Sequence, residues 1–245
     1  MHSTMTDPTV LFNPRPRVER LEFANGQSCL IVDDALLRPE RLRQFAIVHR
    51  DQFVHAPFNA YPGVEFPMPA DLAAQLNEFF MLHIRSLLGG RRTIRMNCRM
   101  AMVTVPPPAL EARQWQCHRD SAWIAPNHCI AASVLYLFED PALGGTGFYA
   151  PKMSAHETDL LVHDSSTLDD AAFASKYGIA KGYMAESNAY FERIGRASAR
   201  WNRMIFYDGR IFHSGEVGSP QALSGDPMTG RLTLNGFFTC TRNAV

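Results

Sequence analysis

Between Thr93 and Cys240 glycine and proline cut the chain into short β-prone runs, and that segmentation limits the fold more than any other feature. Residues 94–105 form the longest run, stopped by Pro106-Pro107-Pro108. Residues 114–120 follow, then the apolar stretch Ile130-Ala131-Ala132-Ser133-Val134-Leu135-Tyr136-Leu137-Phe138. A Gly144-Gly145-Thr146-Gly147 turn leads into Phe148-Tyr149, and further runs cover 190–194, 203–207, 210–213 and 231–239. Strands of this length cannot stand alone. Many of them, joined by tight turns and without internal repeats, resolve into a β-barrel or sandwich.

Helical patterns flank this stretch. Pro39 opens a helix with Leu42, Phe45, Ala46 and Val48 along one side. Residues 71–88 carry Leu72, Leu76, Phe79, Phe80, Ile84, Leu87 and Leu88 at the helical period, with Asp71 placed to cap and Gly89-Gly90 to stop. Such a one-sided helix lies across the outside of a sheet. Residues 1–20 read as an arm or loop, 28–32 as a short strand, and 51–69, with four prolines, as a long structured loop. Residues 154–189 read as a helical insertion, with a helix start at Thr167-Leu168-Asp169-Asp170 and a stop at Gly178. The expected architecture is mainly β with flanking helices. One domain covers 1–245: an N-terminal strand and supporting helices over 1–92, then a β core over 93–240 interrupted by 154–189.

Composition removes several function classes. The 245 residues, 46% hydrophobic and 20% charged, suffice for a sizeable core, and the formal net charge is zero. No basic block exists to recruit nucleic acid or an anionic membrane, and no apolar run reaches spanning length. The first 18 residues lack the apolar segment of a secretory signal. The five cysteines are scattered, odd in number and never in a CxxC pair, which excludes a zinc finger and a disulfide scaffold. A reducing cytoplasm is the expected setting.

Chemistry concentrates at Gln116-Cys117-His118-Arg119-Asp120-Ser121. On extended backbone His118 and Asp120, at i and i+2, face one side and can close on one ion, while Cys117 turns to the other side for packing. His213, 95 residues on in Ile211-Phe212-His213-Ser214-Gly215, supplies a third donor. Two imidazoles and a carboxylate on one face leave open positions, as in non-haem Fe(II) oxygenases. A 2-oxo acid could chelate at two of them and O2 could take the third. Arg231, 18 residues after His213, has the planar fork that suits a dicarboxylate's distal end, and Thr233 shares its strand face.

With His118-Arg119-Asp120, Leu135-Tyr136-Leu137 before Gly144-Gly145-Thr146-Gly147-Phe148, Asn202-Arg203-Met204-Ile205-Phe206 leading to His213-Ser214-Gly215, and Gly230-Arg231-Leu232-Thr233-Leu234-Asn235-Gly236-Phe237-Phe238 in that order, the chain resembles the Fe(II)/2-oxoglutarate-dependent dioxygenase superfamily. It is most similar to the prolyl-4-hydroxylase branch, as a bacterial subfamily, over residues 94–240. The resemblance implies a double-stranded β-helix (jelly-roll) barrel. It implies Fe(II) at His118, Asp120 and His213, 2-oxoglutarate at Arg231 and Thr233, and O2 as oxidant. It implies hydroxylation of an amino-acid, peptidyl or small-metabolite C–H bond, since Asp120 fills the position that a halogenase keeps small for chloride. Three features depart from that pattern: the long segment between Phe148 and Tyr190, the stretched link from His213 to Arg231, and the first ninety residues, which match nothing in it.

Other residues carry two readings each. Asn97 and Arg99 share one face of the first core strand and either touch the co-substrate or form a solvated face. Tyr136 and Trp123 line the pocket or, for Tyr136 above all, pack in the core. His128, His156 and His163 read as surface, Phe79-Phe80 as helix packing, and Tyr61-Pro62-Gly63 as a substrate rim or a plain turn. Two rival functions stand beside the dioxygenase: a non-haem iron oxygenase that needs no 2-oxoglutarate, and a non-catalytic jelly-roll that binds a small molecule or a protein.

Overall fold

The computed structural model describes residues 12–56, 60–121 and 124–242. In order these form β1 (Val18–Glu22), β2 (Ser28–Val32), α1 (Pro39–Val48), β3 (Gly63–Pro67), α2 (Ala70–His83), β4 (Gly90–Val103), β5 (His128–Tyr136), β6 (Thr146–Pro151), α3 (Ala155–Thr167), α4 (Asp170–Tyr177), β7 (Phe191–Ala197), β8 (Met204–Asp208), β9 (Phe212–Gly215) and β10 (Arg231–Arg242). Two antiparallel sheets result. The larger has the strand order β1-β2-β8-β5-β10-β4-β3, and the smaller β7-β6-β9. The chain is therefore mainly β with flanking helices, as the segmentation predicts.

Alternation along the strands sorts the core into layers. Outward residues of the large sheet, among them Met100, Phe206, Leu232 and Phe238, pack under Leu42 and Phe45 of α1 and Leu72, Leu76 and Phe80 of α2. Phe80 stacks on Phe238 with ring centroids 3.9 Å apart. Inward residues Ala132, Tyr136, Ile205 and Tyr207 meet Phe148, Ile194 and Ala197 of the small sheet. The far face of the small sheet carries Tyr149, Phe191 and Phe212 against Leu161 of α3 and Phe173 of α4. Order through the molecule is helix, large sheet, small sheet, helix.

Several local expectations change. Two strands lie where loops are expected. β1 pairs with β2 from Val18↔Val32 to Glu22↔Ser28, and β3 pairs with β4 from Gly63↔Val103 to Pro67↔Arg99. Their pairing comes from partners distant in sequence, not from their own pattern. The helix expected over 71–88 ends at His83 and gives way to a 3-10 turn at Arg85–Leu88, closed by Gly89 at φ 75°. Its N-cap is Pro69, with no side-chain cap, so Asp71 sits in the first turn instead. Leu87 consequently faces solvent, 45% exposed, and Val48, at the C-terminal end of α1, is 67% exposed instead of sharing that helix's buried face. The strand expected over 114–120 is a 3-10 turn at Ala112–Gln114 followed by a single bridge, His118↔His213. Trp115 and Cys117 are drawn into the helix-side core instead of a ladder. The helical insertion is present as α3 and α4. Ser154 and Glu157 form a capping box at α3, Asp169 accepts from Ala172 N at 2.8 Å to cap α4, and Gly178 ends α4 at φ 62°.

Candidate metal centre

His118 and His213 are held face to face by backbone. His118 N donates to His213 O at 2.9 Å, and His213 N donates to His118 O at 2.8 Å. Asp120 N donates to Gly209 O at 2.8 Å, which fixes the carboxylate two residues on. The two-residue spacing works here without a regular strand, because three bonds to the β8–β9 segment hold the backbone extended. One nitrogen or oxygen from each of His118, Asp120 and His213 lies within 4.8 Å of the others.

The donor chemistry fits a divalent ion. His213 Nδ1 faces Ile211 O at 2.9 Å, so it carries the proton and leaves Nε2, 3.7 Å from Asp120 Oδ1, as the lone-pair donor. Burial pushes His213 down to about 4. Burial beneath the cavity mouth, then the neighbouring His213 and Arg99, brings His118 down to about 4 against the pull of Asp120. Both imidazoles are therefore neutral at physiological pH, with a lone pair to offer a cation. Burial lifts Asp120 to about 6, opposed by His118 and Arg99. Its Oδ2 is buried with no hydrogen-bond partner, an orphan a cation would satisfy. Gly209 makes room for that oxygen, since a Cβ there would stand 2.8 Å from it.

The triad opens into a cavity of about 1000 Å³ between the sheets. Arg99, Asn97, Arg231 and Thr233 all line it. Arg231 is 4% exposed and has no carboxylate partner among the described residues. Its Nε donates to Leu143 O at 2.9 Å and its Nη2 to Gly145 O at 2.8 Å. That is the role of the Gly144-Gly145 turn. Gly144 has φ 75°, and a Cβ on it would overlap Glu216 O. A Cβ on Gly215 would stand 3.4 Å from Arg231 Nη2. Gly215 follows His213 by two strand residues, a rise of about 7 Å. Thr233 Oγ1 sits 3.4 Å from Ala101 O and beside the Tyr61 hydroxyl.

The chain matches a family described as "Family of unknown function (DUF6445)" over residues 14–238. The chain belongs to that family. No curated protein matches this DUF6445 member. Solved structures similar to it include a prolyl-4-hydroxylase from Pseudomonas putida, 12% identical, covering 90% of this chain and 95% of that one, TM-score 0.46. Another is HygX from Streptomyces hygroscopicus with nickel and 2-oxoglutarate bound, 9% identical, covering 89% and 84%, TM-score 0.47.

In this DUF6445 member the seven sequence-predicted site residues meet in one cavity, at different places. His118, Asp120 and His213 converge, and Arg231 with Thr233 forms the inner end. Arg99 is not a plain solvated side chain: its Nε pairs with the buried Glu65 at 2.7 Å, and its guanidinium lies 4.5 Å over the Phe237 ring. Asn97 is exposed near the mouth. Tyr136 is fully buried, bonded to Thr146 Oγ1 at 2.7 Å, and belongs to the core. Trp123 lies outside the described residues. His156 and His163 are exposed on α3, whereas His128 is half-buried at the start of β5. Tyr61 and Pro62 line the cavity. Sequence reasoning passed over Glu65 and Tyr207. Glu65 is a lone acid in an aperiodic segment, and Tyr207 reads as one more core aromatic. In the fold, Tyr207 sets its ring edge-on to His213 at 4.7 Å. Among the described residues no helix is long and apolar enough to cross a membrane.

Proposed function

We propose that this protein is an Fe(II)- and 2-oxoglutarate-dependent dioxygenase that hydroxylates an amino-acid, peptidyl or small-metabolite C–H bond on a double-stranded β-helix scaffold. The observation that carries the reading is one juxtaposition. A His-Asp-His donor set lining the cavity, its His213 buried, stands one strand repeat along β9 from a buried guanidinium without a carboxylate partner among the described residues. In this reading residues 1–92 belong to the same domain, since β1 and β2 extend the large sheet and α1 and α2 cover it.

His118 Nε2 or Nδ1, His213 Nε2 and one Asp120 oxygen would hold the metal on one face. When bound, Fe(II) supplies O2 activation coupled to oxidation of a 2-oxo acid. The chain's residues do the rest. Ile211 O orients the His213 ring, and burial keeps both imidazoles unprotonated. The Leu143 and Gly145 carbonyls aim the Arg231 fork at the cavity, where it and Thr233 anchor a distal carboxylate. Asp120 occupies the third protein position, which favours hydroxylation over halogenation.

The test is succinate release from 2-oxoglutarate with Fe(II). Wild type is expected to turn over, with His118→Ala inactive and unable to retain stoichiometric metal. Equal succinate from both would remove the metal assignment. A second reading has its own support. Two Arg231 nitrogens already donate to carbonyls, so the residue could be structural and the oxygenase independent of 2-oxoglutarate. Arg231→Ala separates the two: a rise in the 2-oxoglutarate KM of tenfold or more supports the first, and unchanged activity the second.

A further inference from the structure

Gln116, Asn235 and Tyr207 line the cavity without a side-chain hydrogen bond among the described residues, as does Ser133. Gln116 is 4% exposed, and its Oε1 is buried without a hydrogen bond. Asn235 is 8% exposed and Tyr207 2% exposed, and neither side chain makes a hydrogen bond among the described residues. All three line the cavity that holds the triad. Their positions bracket the metal centre. Gln116 precedes His118 by two residues, and Tyr207 packs on His213. Asn235 pairs in register with Arg99 of β4, whose charge acts on His118 and Asp120.

A buried acceptor left unpaired is destabilising, so the Gln116 oxygen is tolerated where a ligand completes it, and Asn235 and Tyr207 add free hydrogen-bonding groups to the same cavity lining. Their chemistry is neutral. Two cations that share the cavity have other partners: Arg99, beside Asn235, pairs with Glu65, and Arg231 donates to the Leu143 and Gly145 carbonyls. A carboxamide presents one acceptor and two donors, the complement of another amide's N–H and C=O. The Tyr207 phenol is an O–H donor in its ordinary form. A substrate carboxylate placed here would meet the Gln116 oxygen with no proton to share.

We infer that the primary substrate presents a neutral amide, as in a peptide or a carboxamide side chain, to Gln116 and Asn235, with Tyr207 donating to it. This inference rests on the proposed function for the chemistry that follows binding, and not for the binding itself.

The test therefore starts with binding. Saturation-transfer NMR on the full chain compares N-acetyl-L-amino acid N-methylamides with the matching N-acetyl-L-amino acids as probes. Amides are expected to receive saturation from the protein at least tenfold more strongly than their acids. Gln116→Glu should reduce that preference at least tenfold. Asn235→Leu should weaken amide binding, while Gln116→Asn restores part of it. Equal binding of acids and amides, preference for acids, no binding by either, or a Gln116→Glu variant with unchanged preference overturns the inference. Succinate release with Fe(II), 2-oxoglutarate and the bound amides then reports separately on the parent reading. Amide binding without any succinate release would defeat the dioxygenase assignment and leave the amide site standing.

Discussion

Asp120 depends on a hydrogen atom elsewhere, the one that Gly209 has in place of a Cβ. A methyl group at 209 would stand 2.7 Å from Ile130 Cγ2 and 2.8 Å from Asp120 Oδ2. Gly209→Ala is expected to swing the carboxylate off the imidazoles, lowering metal affinity at least tenfold and costing about 1–3 kcal/mol of stability by overpacking. Metal titration and urea unfolding of the variant check both. Proton linkage at the same residues has a definite sign. Burial holds His118 and His213 down to about 4 in the folded state against about 6.5 for a free imidazole, so between those limits the unfolded chain binds two more protons. Asp120, raised to about 6 from 3.8, opposes this with one proton. Two against one leaves the metal-free protein losing stability as pH falls from about 6.5 towards 4. Urea midpoints at pH 7 and pH 5 read this directly, and a higher midpoint at pH 5 would contradict it. These residues were legible as a pattern: His118, Asp120 and His213 differ from surface histidines and acids by their order and flanking apolar residues. Glu65 and Tyr207 were not, because nothing local marks a side chain whose meaning comes from the strand beside it.

At the scale of elements, α2 anchors the outer layer. Phe80 is 1% exposed and stacks on both Phe238 and Phe206. Phe80→Ala should cost about 3–5 kcal/mol, as large aromatic deletions in a packed core do. It should also loosen β10, the strand that carries Arg231 and Thr233. Thermal unfolding measures the first effect and 2-oxoglutarate affinity the second. The periodicity of α2 revealed its buried face, but not its end. Ile84 continues inward at 0% exposed while Leu87 does not, because the chain tightens to a 3-10 turn before β4. β1 and β3 show the opposite failure. Each is short and half-polar, and becomes a strand only where a neighbour's open hydrogen-bonding edge receives it.

For the whole molecule, the centre joins two sheets through side chains and a pair of backbone bonds. Asp120 is tied to the turn between β8 of the large sheet and β9 of the small one, and His213 lies on β9. A bound ion would cross-link them. Addition of a divalent metal at about a hundred times its Kd should raise stability by about 2.7 kcal/mol, and a chelator should reverse it. A Tm unmoved by Fe(II) or a redox-inert substitute would speak against a site of useful affinity. The β-rich core, its flanking helices, the inserted α3–α4 pair and the order of the candidate ligands are all readable along the chain. Those follow from local periodicity, capping residues and turn chemistry, which act over a few neighbouring positions. Folding in three dimensions is what sets His118 opposite His213 across 95 residues, seats Arg231 on Gly144-Gly145, and brings Gln116, Tyr207 and Asn235 to the lining of one cavity. Each of those depends on strand register, and register is set by the packing of both sheet faces at once.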